Sequence, residues 1–329
     1  GVLGWFLRMC GHDDFMIRIP DRITEGYGPN TPGLLAMKEA GCGLICILDS
    51  GTLAFEPLAA AKAAGIDVVV IDHHAAEEAI PEAVAVVNPN RKDQKPGYGH
   101  LCAAGVTFVF TVAAARKLRD DGFFRGPVPD LMRLLDLVAL GTVCDVVPLV
   151  GLNRAFVRRG LPYLTQRQRP GIAALCAVAG IADNAAITAG DCGWVLGPRI
   201  NAGGRIGESG SGAALLLEQD PDEARRLAEE LNRLNVERQE LEAACTRSAM
   251  ADIGGREDED RTLALAVTDA HEGVVGISAS RVKDAHDAPA IVLTRTHDGL
   301  LKGSARSVEG FDIGHAIIAA RQAGLIIKG

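Results

Sequence analysis

Short apolar segments that alternate with helical patterns restrict the fold of this chain more than any other feature. Four segments have the length and composition of strands: FMIRI (15–19), LICILD (44–49), IDVVVID (66–72) and AVAVVN (83–88). Helical patterns follow them at 32–40, 52–64, 101–119, 130–142, 153–163 and 170–179. Continuously apolar strands separated by helices are typical of a parallel sheet that is buried on both faces. We therefore predict an α/β fold with a mostly parallel sheet and helices on both faces.

A second, smaller α/β lobe is predicted after a long helix. Residues 220–249 form one helical pattern that Asp220 can cap, with Pro221 at a favourable first position. A loop at 254–260 follows, and the α/β pattern then resumes. Its strands are expected at 262–267, 288–293 and 299–307, with a helix at about 275–284. The long helix is therefore expected to join the two lobes.

Composition narrows the class of protein further. The 329 residues are enough for about two domains. The eight cysteines form no C-x-x-C pair and lie in apolar surroundings, which favours a reducing cytoplasm over a disulfide framework. No apolar run approaches the roughly 18 residues needed to span a membrane, so no membrane association is expected.

The charge distribution leaves a nucleic-acid ligand open. A net charge of −8 alone argues mildly against a polyanionic partner. Residues 151–170, however, contain five arginines and no acidic residue. A basic stripe of this kind can contact a phosphate backbone even on an acidic protein. Its members are Arg154, Arg158, Arg159, Arg167 and Arg169.

Carboxylates and histidines stand where two of the predicted strands end. Asp49 follows one apolar strand, and Asp72 follows the next and is itself followed by His73 and His74. Ligands of parallel α/β sheets bind beyond the carboxyl ends of the strands. Asp145, inside an otherwise apolar segment, is a further candidate. Asp49 alone could equally be a helix N-cap, and Asp145 alone could be a satisfied core residue.

The residue types favour a hard divalent cation at this position. Buried carboxylates are unfavourable unless they are paired or bind metal. Aspartate and histidine without cysteine suit Mn²⁺ or Mg²⁺ better than structural zinc. Two such ions bridged by a carboxylate are the usual apparatus for phosphoester hydrolysis.

Several motifs together resemble a known family. VIDHH resembles the signature of the DHH phosphoesterase superfamily. More narrowly, the chain resembles the RecJ-type single-stranded-DNA-specific 5′→3′ exonucleases from about residue 16 to residue 314. The motifs that carry this resemblance occur in the family's order: IPDRITEGYGPN, LDSG, VIDHH, LCAAGVTF, DLVALGTVCDVVPL, GPRINAGGR, HEGVVGISASR and GSARSVEGFD.

The resemblance implies a domain order and an activity. Residues 1–215 would be the DHH catalytic domain, 216–258 a connecting helix and loop, and 259–329 a DHHA1-like substrate-binding lobe. The implied activity is metal-dependent hydrolysis of phosphodiester bonds in single-stranded DNA from the 5′ end, in DNA repair and recombination. The implied cofactor is Mn²⁺ or Mg²⁺ in a two-metal site. Protein partners, such as a single-strand-binding protein or a helicase, are not indicated by any motif.

The resemblance also assigns roles to individual residues. Asp49 would bridge the metals, and His73 and Asp145 would be further ligands. His74 would lie close by, contacting the scissile phosphate or orienting the site, and Asp72 would hold the histidines in place. Phosphate or DNA contacts would come from Arg22, Arg199, Arg205, His271, Ser304 and Arg306, with Arg199 and Arg205 on a glycine-rich loop. In isolation, Arg22 could instead pair with Asp21 or Glu25, and His271 could simply cap a helix.

Two family motifs are not found in the sequence. An Asp-x-Asp pair is expected before residue 1 and a Gly-Gly-His motif after the last residue, so both ends are expected to be trimmed. On that expectation the chain alone would bind metal weakly and have little activity, whereas the parent protein would be active. Two other readings remain: a DHH-family phosphodiesterase acting on short oligonucleotides or cyclic dinucleotides, and a non-catalytic DNA-binding relative.

Overall fold

A three-stranded parallel sheet positions the residues of interest at one edge. Its strands are β1 (Leu44–Leu48), β2 (Asp67–Ile71) and β3 (Ala85–Val87), in the order β1-β2-β3. Leu48 pairs with Ile71, and Ile71 pairs with Val87, so the three strands end level with one another. The residues that follow β1, β2 and β3 therefore emerge at the same edge of the sheet.

The structure is a computed structural model that describes residues 1–21, 24–255, 262–296 and 299–327. It divides into two units, which we call the N-terminal unit (Gly1–Asn232) and the C-terminal unit (Arg233–Gly329). Within the described ranges, none of the helices is both long enough and apolar enough to cross a membrane. All eight cysteines are free thiols.

Helices make up most of the N-terminal unit. They are α1 (Val2–Met9), α2 (Thr31–Glu39), α3 (Phe55–Ala63), α4 (Ala103–Asp120), α5 (Leu135–Cys144) with a preceding 3-10 turn (Leu131–Leu134), α6 (Gly151–Thr165), α7 (Pro170–Val178), α8 (Ala189–Asp191), a π-helical turn (Cys192–Leu196), α9 (Gly197–Ile206) and α10 (Ser211–Leu217). Leucines of α5, α7 and α10 are fully buried in the largest hydrophobic core. A second core lies between β1, β2 and the helices α2 and α3.

The long helix α11 (Pro221–Gly254) begins in the N-terminal unit and continues into the C-terminal unit. The sequence prediction of this helix and of its cap is confirmed. The Asp220 side chain accepts hydrogen bonds from the backbone N–H groups of Asp222 (2.9 Å) and Glu223 (2.8 Å). The acidic segment at 257–260 lies outside the described residues.

The C-terminal unit is a smaller α/β layer structure. In it β4 (Ala264–Thr268) and β5 (Ala290–Arg295) are parallel, and β6 (Leu301–Arg306) is antiparallel to β5. Helix α12 (Glu272–His286) buries Val274, Ala279 and Val282 against this sheet and α11. Helix α13 (Ile313–Gln322) follows the last strand.

Two sequence-based assignments are wrong. Residues 15–19 form no strand, and Met16 and Ile17 are half exposed, because none of the strands that the structure describes pairs with this run. The segment GPRINAGGR is helix α9 and not a loop. Two of its glycines serve close packing: a Cβ at Gly197 would lie 2.6 Å from the Cys144 sulfur, and one at Gly203 would lie 2.8 Å from the Glu208 carbonyl oxygen.

Helices α5 and α6 pack so closely that a glycine is required between them. A Cβ added at Gly160 would overlap the Leu135 carbonyl oxygen and lie 2.6 Å from the Ala139 Cβ. We expect Gly160→Ala to lower the free energy of unfolding by about 3 kcal/mol, because the backbones must move apart. Urea denaturation followed by circular dichroism measures the change. Gly204→Ala in α9 is the control, since nothing lies within 4 Å of its Cβ position; equal midpoints for the two variants would contradict the prediction.

Candidate metal centre

Asp49 is the first residue after β1 and has an unusual backbone conformation. Its φ is +62°, in the left-handed region that aspartate and asparagine tolerate better than most residues. Its N–H continues the sheet by donating to the Ile71 carbonyl (3.0 Å), and its own carbonyl accepts from the Tyr27 hydroxyl (2.7 Å). The turn is therefore fixed on both sides of the Asp49 side chain.

Asp72 is buried at the end of β2 and organises the loop around it. Only 1% of the residue is exposed. One carboxylate oxygen accepts from the Thr52 hydroxyl (2.6 Å) and backbone N–H (3.1 Å). The other accepts from the backbone N–H groups of His73 (2.7 Å) and His74 (3.3 Å) and from Nδ1 of His74 (2.7 Å). Burial acts to raise the pKa of Asp72, but these donors outweigh it and lower the pKa to about 2. Asp72 is therefore ionised at neutral pH.

Asparagines after β3 complete this hydrogen-bonded loop. Asn88 donates to the Thr52 hydroxyl (2.8 Å) and to the His74 carbonyl (2.9 Å), and Asn90 donates to the His73 carbonyl (2.5 Å). These asparagines and Thr52 were missed by the sequence prediction. The signal that predicts Asp49 and Asp72, a polar residue directly after an apolar strand, also applies to Asn88.

His73 points its Nε2 atom at two carboxylates. The atom lies 3.2 Å from Oδ1 of Asp49 and 3.5 Å from Oδ2 of Asp145. It is buried, yet it makes no well-aligned hydrogen bond to any residue that the structure describes. The adjacent Asp49 carboxylate raises the pKa of His73, burial opposes this, and Asp145 adds to the increase. A buried imidazole nitrogen that faces two carboxylates is the arrangement expected of a metal ligand.

Asp145 reaches the same point from a helix end. It is the C-cap of α5, and its side chain is 35% exposed. Burial and the charge of Asp49 raise the pKa of Asp145, while His73 lowers it. A carboxylate whose pKa is raised by burial and by a neighbouring carboxylate is stabilised in the ionised form by a cation.

His74 completes a compact group with Asp49 and His73. The ligand atoms of these three residues lie within 4.8 Å of one another. Because Asp72 holds Nδ1 of His74, Nε2 is the ring nitrogen left to bind a ligand. The sequence prediction named Asp145 as the third metal ligand and gave His74 a role near the scissile phosphate. The oxygen and nitrogen donors together fit Mn²⁺ or Mg²⁺.

The predicted phosphate-binding residues fall into three groups. Arg22 lies outside the described residues. Arg199 is half-buried and occupied, since it donates to the side-chain oxygen of Asn232 (2.9 Å) and to the Val195 carbonyl (2.8 Å). Arg205 lies in the last turn of α9. Neither arginine is on the loop that the sequence predicted.

The other three predicted residues belong to the C-terminal unit. Arg306 on β6 donates to the hydroxyls of Ser304 (2.7 Å) and Ser280 (3.0 Å), so Ser304 and Arg306 are brought together. A Cβ at Gly276 of α12 would lie 3.2 Å from the Arg306 guanidinium, so this glycine leaves room beside it. His271 is the N-cap of α12, and its Nδ1 accepts from Gly273 N–H (3.1 Å). This hydrogen bond directly supports the interpretation of His271 as a helix cap.

Comparison with known proteins places these features in context. Residues 2–142 match the model of the DHH family, N-terminal domain. The single-stranded-DNA-specific exonuclease RecJ of Salmonella typhimurium is 39% identical over 324 residues, which are 96% of this chain and 56% of that protein. The chain thus spans about half the length of the curated relatives that it matches.

Solved structures give the same assignment. A crystal structure of exonuclease RecJ bound to manganese superposes with a TM-score of 0.80 at 30% identity, covering 98% of this chain and 77% of that one. A structure of Thermus thermophilus RecJ in complex with Mg²⁺ has a TM-score of 0.64 at 29% identity, covering 85% of this chain and 38% of that one.

Proposed function

The chain belongs to the RecJ family of single-stranded-DNA-specific exonucleases, as its motifs predicted, and from this we propose that it forms the catalytic part of such an enzyme. The proposed reaction is hydrolysis of phosphodiester bonds in single-stranded DNA from the 5′ end, with Mn²⁺ or Mg²⁺, in DNA repair and recombination. The observation that carries the proposal is the buried Nε2 of His73, which lies 3.2 Å from the Asp49 carboxylate and 3.5 Å from the Asp145 carboxylate. A cytoplasmic location, consistent with eight free cysteines, is part of the same proposal.

Each residue of the centre has a separate proposed task. Asp49, His73 and Asp145 hold the cation, which when bound neutralises charge on the phosphate and acts as a Lewis acid. Asp72 accepts from Nδ1 of His74 and so fixes that ring's tautomer and direction. His74 then presents Nε2 towards the phosphate or the cation. Arg22, Arg199, Arg205, His271, Ser304 and Arg306 are proposed to contact DNA, with Ser304 and Arg306 supported by their mutual contact.

The domain borders remain part of the proposal. We assign residues 1–215 to the DHH catalytic domain, 216–258 to the connecting helix and loop, and 259–329 to a DHHA1-like substrate-binding lobe. The family match at residues 2–142 supports the first assignment, and the continuous helix α11 supports the second.

Product analysis tests the proposed function. A long single strand labelled at its 3′ end is incubated with the protein and Mn²⁺, with EDTA and a blunt duplex as controls. Metal-dependent shortening of the strand from the 5′ end supports the exonuclease. Cleavage confined to short oligonucleotides or cyclic dinucleotides would favour the alternative phosphodiesterase, and DNA binding without cleavage would favour a non-catalytic relative.

We predict that Arg306→Ala reduces the preference for a 5′-phosphate about tenfold or more, because charge-assisted hydrogen bonds to phosphate are lost. The measurement is the ratio of kcat/KM for 5′-phosphorylated and 5′-hydroxyl strands. Arg295→Ala is the matched control, since Arg295 is on the neighbouring strand β5 and its side chain is 68% exposed. An unchanged ratio in the Arg306 variant would exclude this role.

A further inference from the structure

Trp194 is an exposed aromatic residue without a task in the proposed reaction. It is 85% exposed. The side chain of the other tryptophan, Trp5, makes contacts inside the protein. Its indole N–H donates to the Leu216 carbonyl (2.8 Å), and its ring centre lies 4.4 Å from the Arg169 guanidinium carbon. Single exposed apolar residues are common on protein surfaces. The local backbone and the position of Trp194 are what distinguish it.

The backbone that carries Trp194 is a π-helical turn that several contacts hold in place. The N–H of Gly197 donates to the Cys192 carbonyl, five residues earlier. The same carbonyl accepts from the Cys144 thiol (3.5 Å), and Arg199 donates to the Val195 carbonyl (2.8 Å). Single π-helical turns are rare and occur frequently at functional sites. The turn therefore presents the indole outwards from a fixed support.

This turn packs against the end of the helix that supplies a candidate metal ligand. Cys144, which contacts Cys192, immediately precedes Asp145. Asp145 and Trp194 are therefore carried by elements of the N-terminal unit that are in direct contact with each other.

The residue after Asp145 has a second unusual conformation. Val146 has a φ of +59° and is 86% exposed. A β-branched residue in the left-handed region is strained, and such strain is typically found at active sites and ligand clamps. Val146 and Trp194 are the two most exposed large apolar residues in the described part of the chain. Neither gains stability from burial, so both are available to an external apolar surface.

We propose that Trp194 stacks on an unpaired base of the DNA strand whose phosphate is held at the metal centre. This inference rests on the proposed function and adds a positioning residue to it. A base in a single strand offers a free π-face, whereas a base in a duplex is stacked on both sides. Indole–base stacking is tolerant of sequence, so the contact would bind any base and discriminate against duplex.

Fluorescence can report directly on this contact because the chain has two tryptophans. In a Trp5→Phe variant, Trp194 is the remaining fluorophore. We expect its emission to be quenched when a 5′-phosphorylated phosphorothioate oligothymidylate, which resists cleavage, is added. Measured by anisotropy of labelled DNA, Trp194→Ala should weaken binding by about 5- to 150-fold. Trp194→Phe should retain most of the affinity, since phenylalanine also stacks. The urea midpoints of the two Trp194 variants should match the wild type.

Abasic DNA separates stacking from other effects of the substitution. A series of oligonucleotides is used, each with one abasic site at a different position. One of them should bind the wild type more weakly than the others, and on that oligonucleotide Trp194→Ala should cause no further loss of affinity. Normal DNA binding with unquenched Trp194 emission, or an unchanged affinity of Trp194→Ala, would overturn the inference while leaving the exonuclease proposal intact. Absence of single-strand binding by the wild type would overturn both.

Discussion

Replacing His73 by alanine is expected to weaken Mn²⁺ binding by at least about 100-fold, since loss of a residue that merely supports a ligand already lowers metal affinity 10- to 100-fold. The imidazole is the nitrogen donor that Asp49 and Asp145 both approach, at 3.2 and 3.5 Å. Without it, two carboxylates face each other with no nitrogen donor between them, and the proposed metal-dependent hydrolysis of single strands should fall with the metal affinity. Isothermal titration calorimetry with Mn²⁺ measures the affinity, comparing wild type and variant in the same length of chain.

His12→Ala is the matched control, because His12 is exposed in the loop after α1. It should bind Mn²⁺ as the wild type does. Asp49→Asn should weaken binding as well, while preserving the left-handed turn that asparagine tolerates. Mn²⁺ affinity of the His73 variant within threefold of wild type would show that the cation is held elsewhere.

Replacing Asp72 by alanine is expected to lower the free energy of unfolding by about 4 kcal/mol, because buried donors lose their acceptor. The carboxylate accepts from five donors on Thr52, His73 and His74. The pKa of Asp72 in the folded protein is about 2, below the usual value near 4. The stabilisation is therefore fully present at neutral pH and is lost as pH falls from about 4 towards 2.

Urea denaturation in EDTA measures this effect apart from metal binding. Asp67→Ala provides the control, since Asp67 is an exposed residue at the start of the same strand, β2. Asp72→Asn should have an intermediate effect, because its amide oxygen keeps some of the accepted hydrogen bonds. The prediction fails if the urea midpoints of Asp72→Ala and Asp67→Ala coincide.

The sheet and its ligand-bearing edge could be predicted because they follow from local pattern. Strands β1 and β2 are continuous apolar runs, and a parallel sheet brings their ends together, so Asp49 and Asp72 had to be neighbours. The same pattern was misleading for residues 15–19. Apolar composition indicates that a strand can form, but only the tertiary structure supplies a pairing partner.

Contacts made by helices could not be predicted in the same way. Asp145 reaches His73 because α5 is packed in one particular position, and no spacing in the sequence encodes that 3.5 Å approach. The glycines of α9 were taken for a loop, since glycine usually disfavours helices. Gly197 and Gly203 are needed because another part of the chain lies too close to each of them for a Cβ. Arg199 is likewise engaged by Asn232, which is distant in sequence.

The left-handed turn at Asp49 limits how this site can change over evolutionary time. Few residues adopt that backbone without strain, and asparagine and glycine are the readiest replacements. Both are reached from an aspartate codon by a single base change. The most accessible substitutions at this position therefore keep the turn and remove the negative charge. A lineage released from selection for the proposed hydrolysis would reach a folded descendant with weaker metal binding through one nucleotide change, before its fold began to fail.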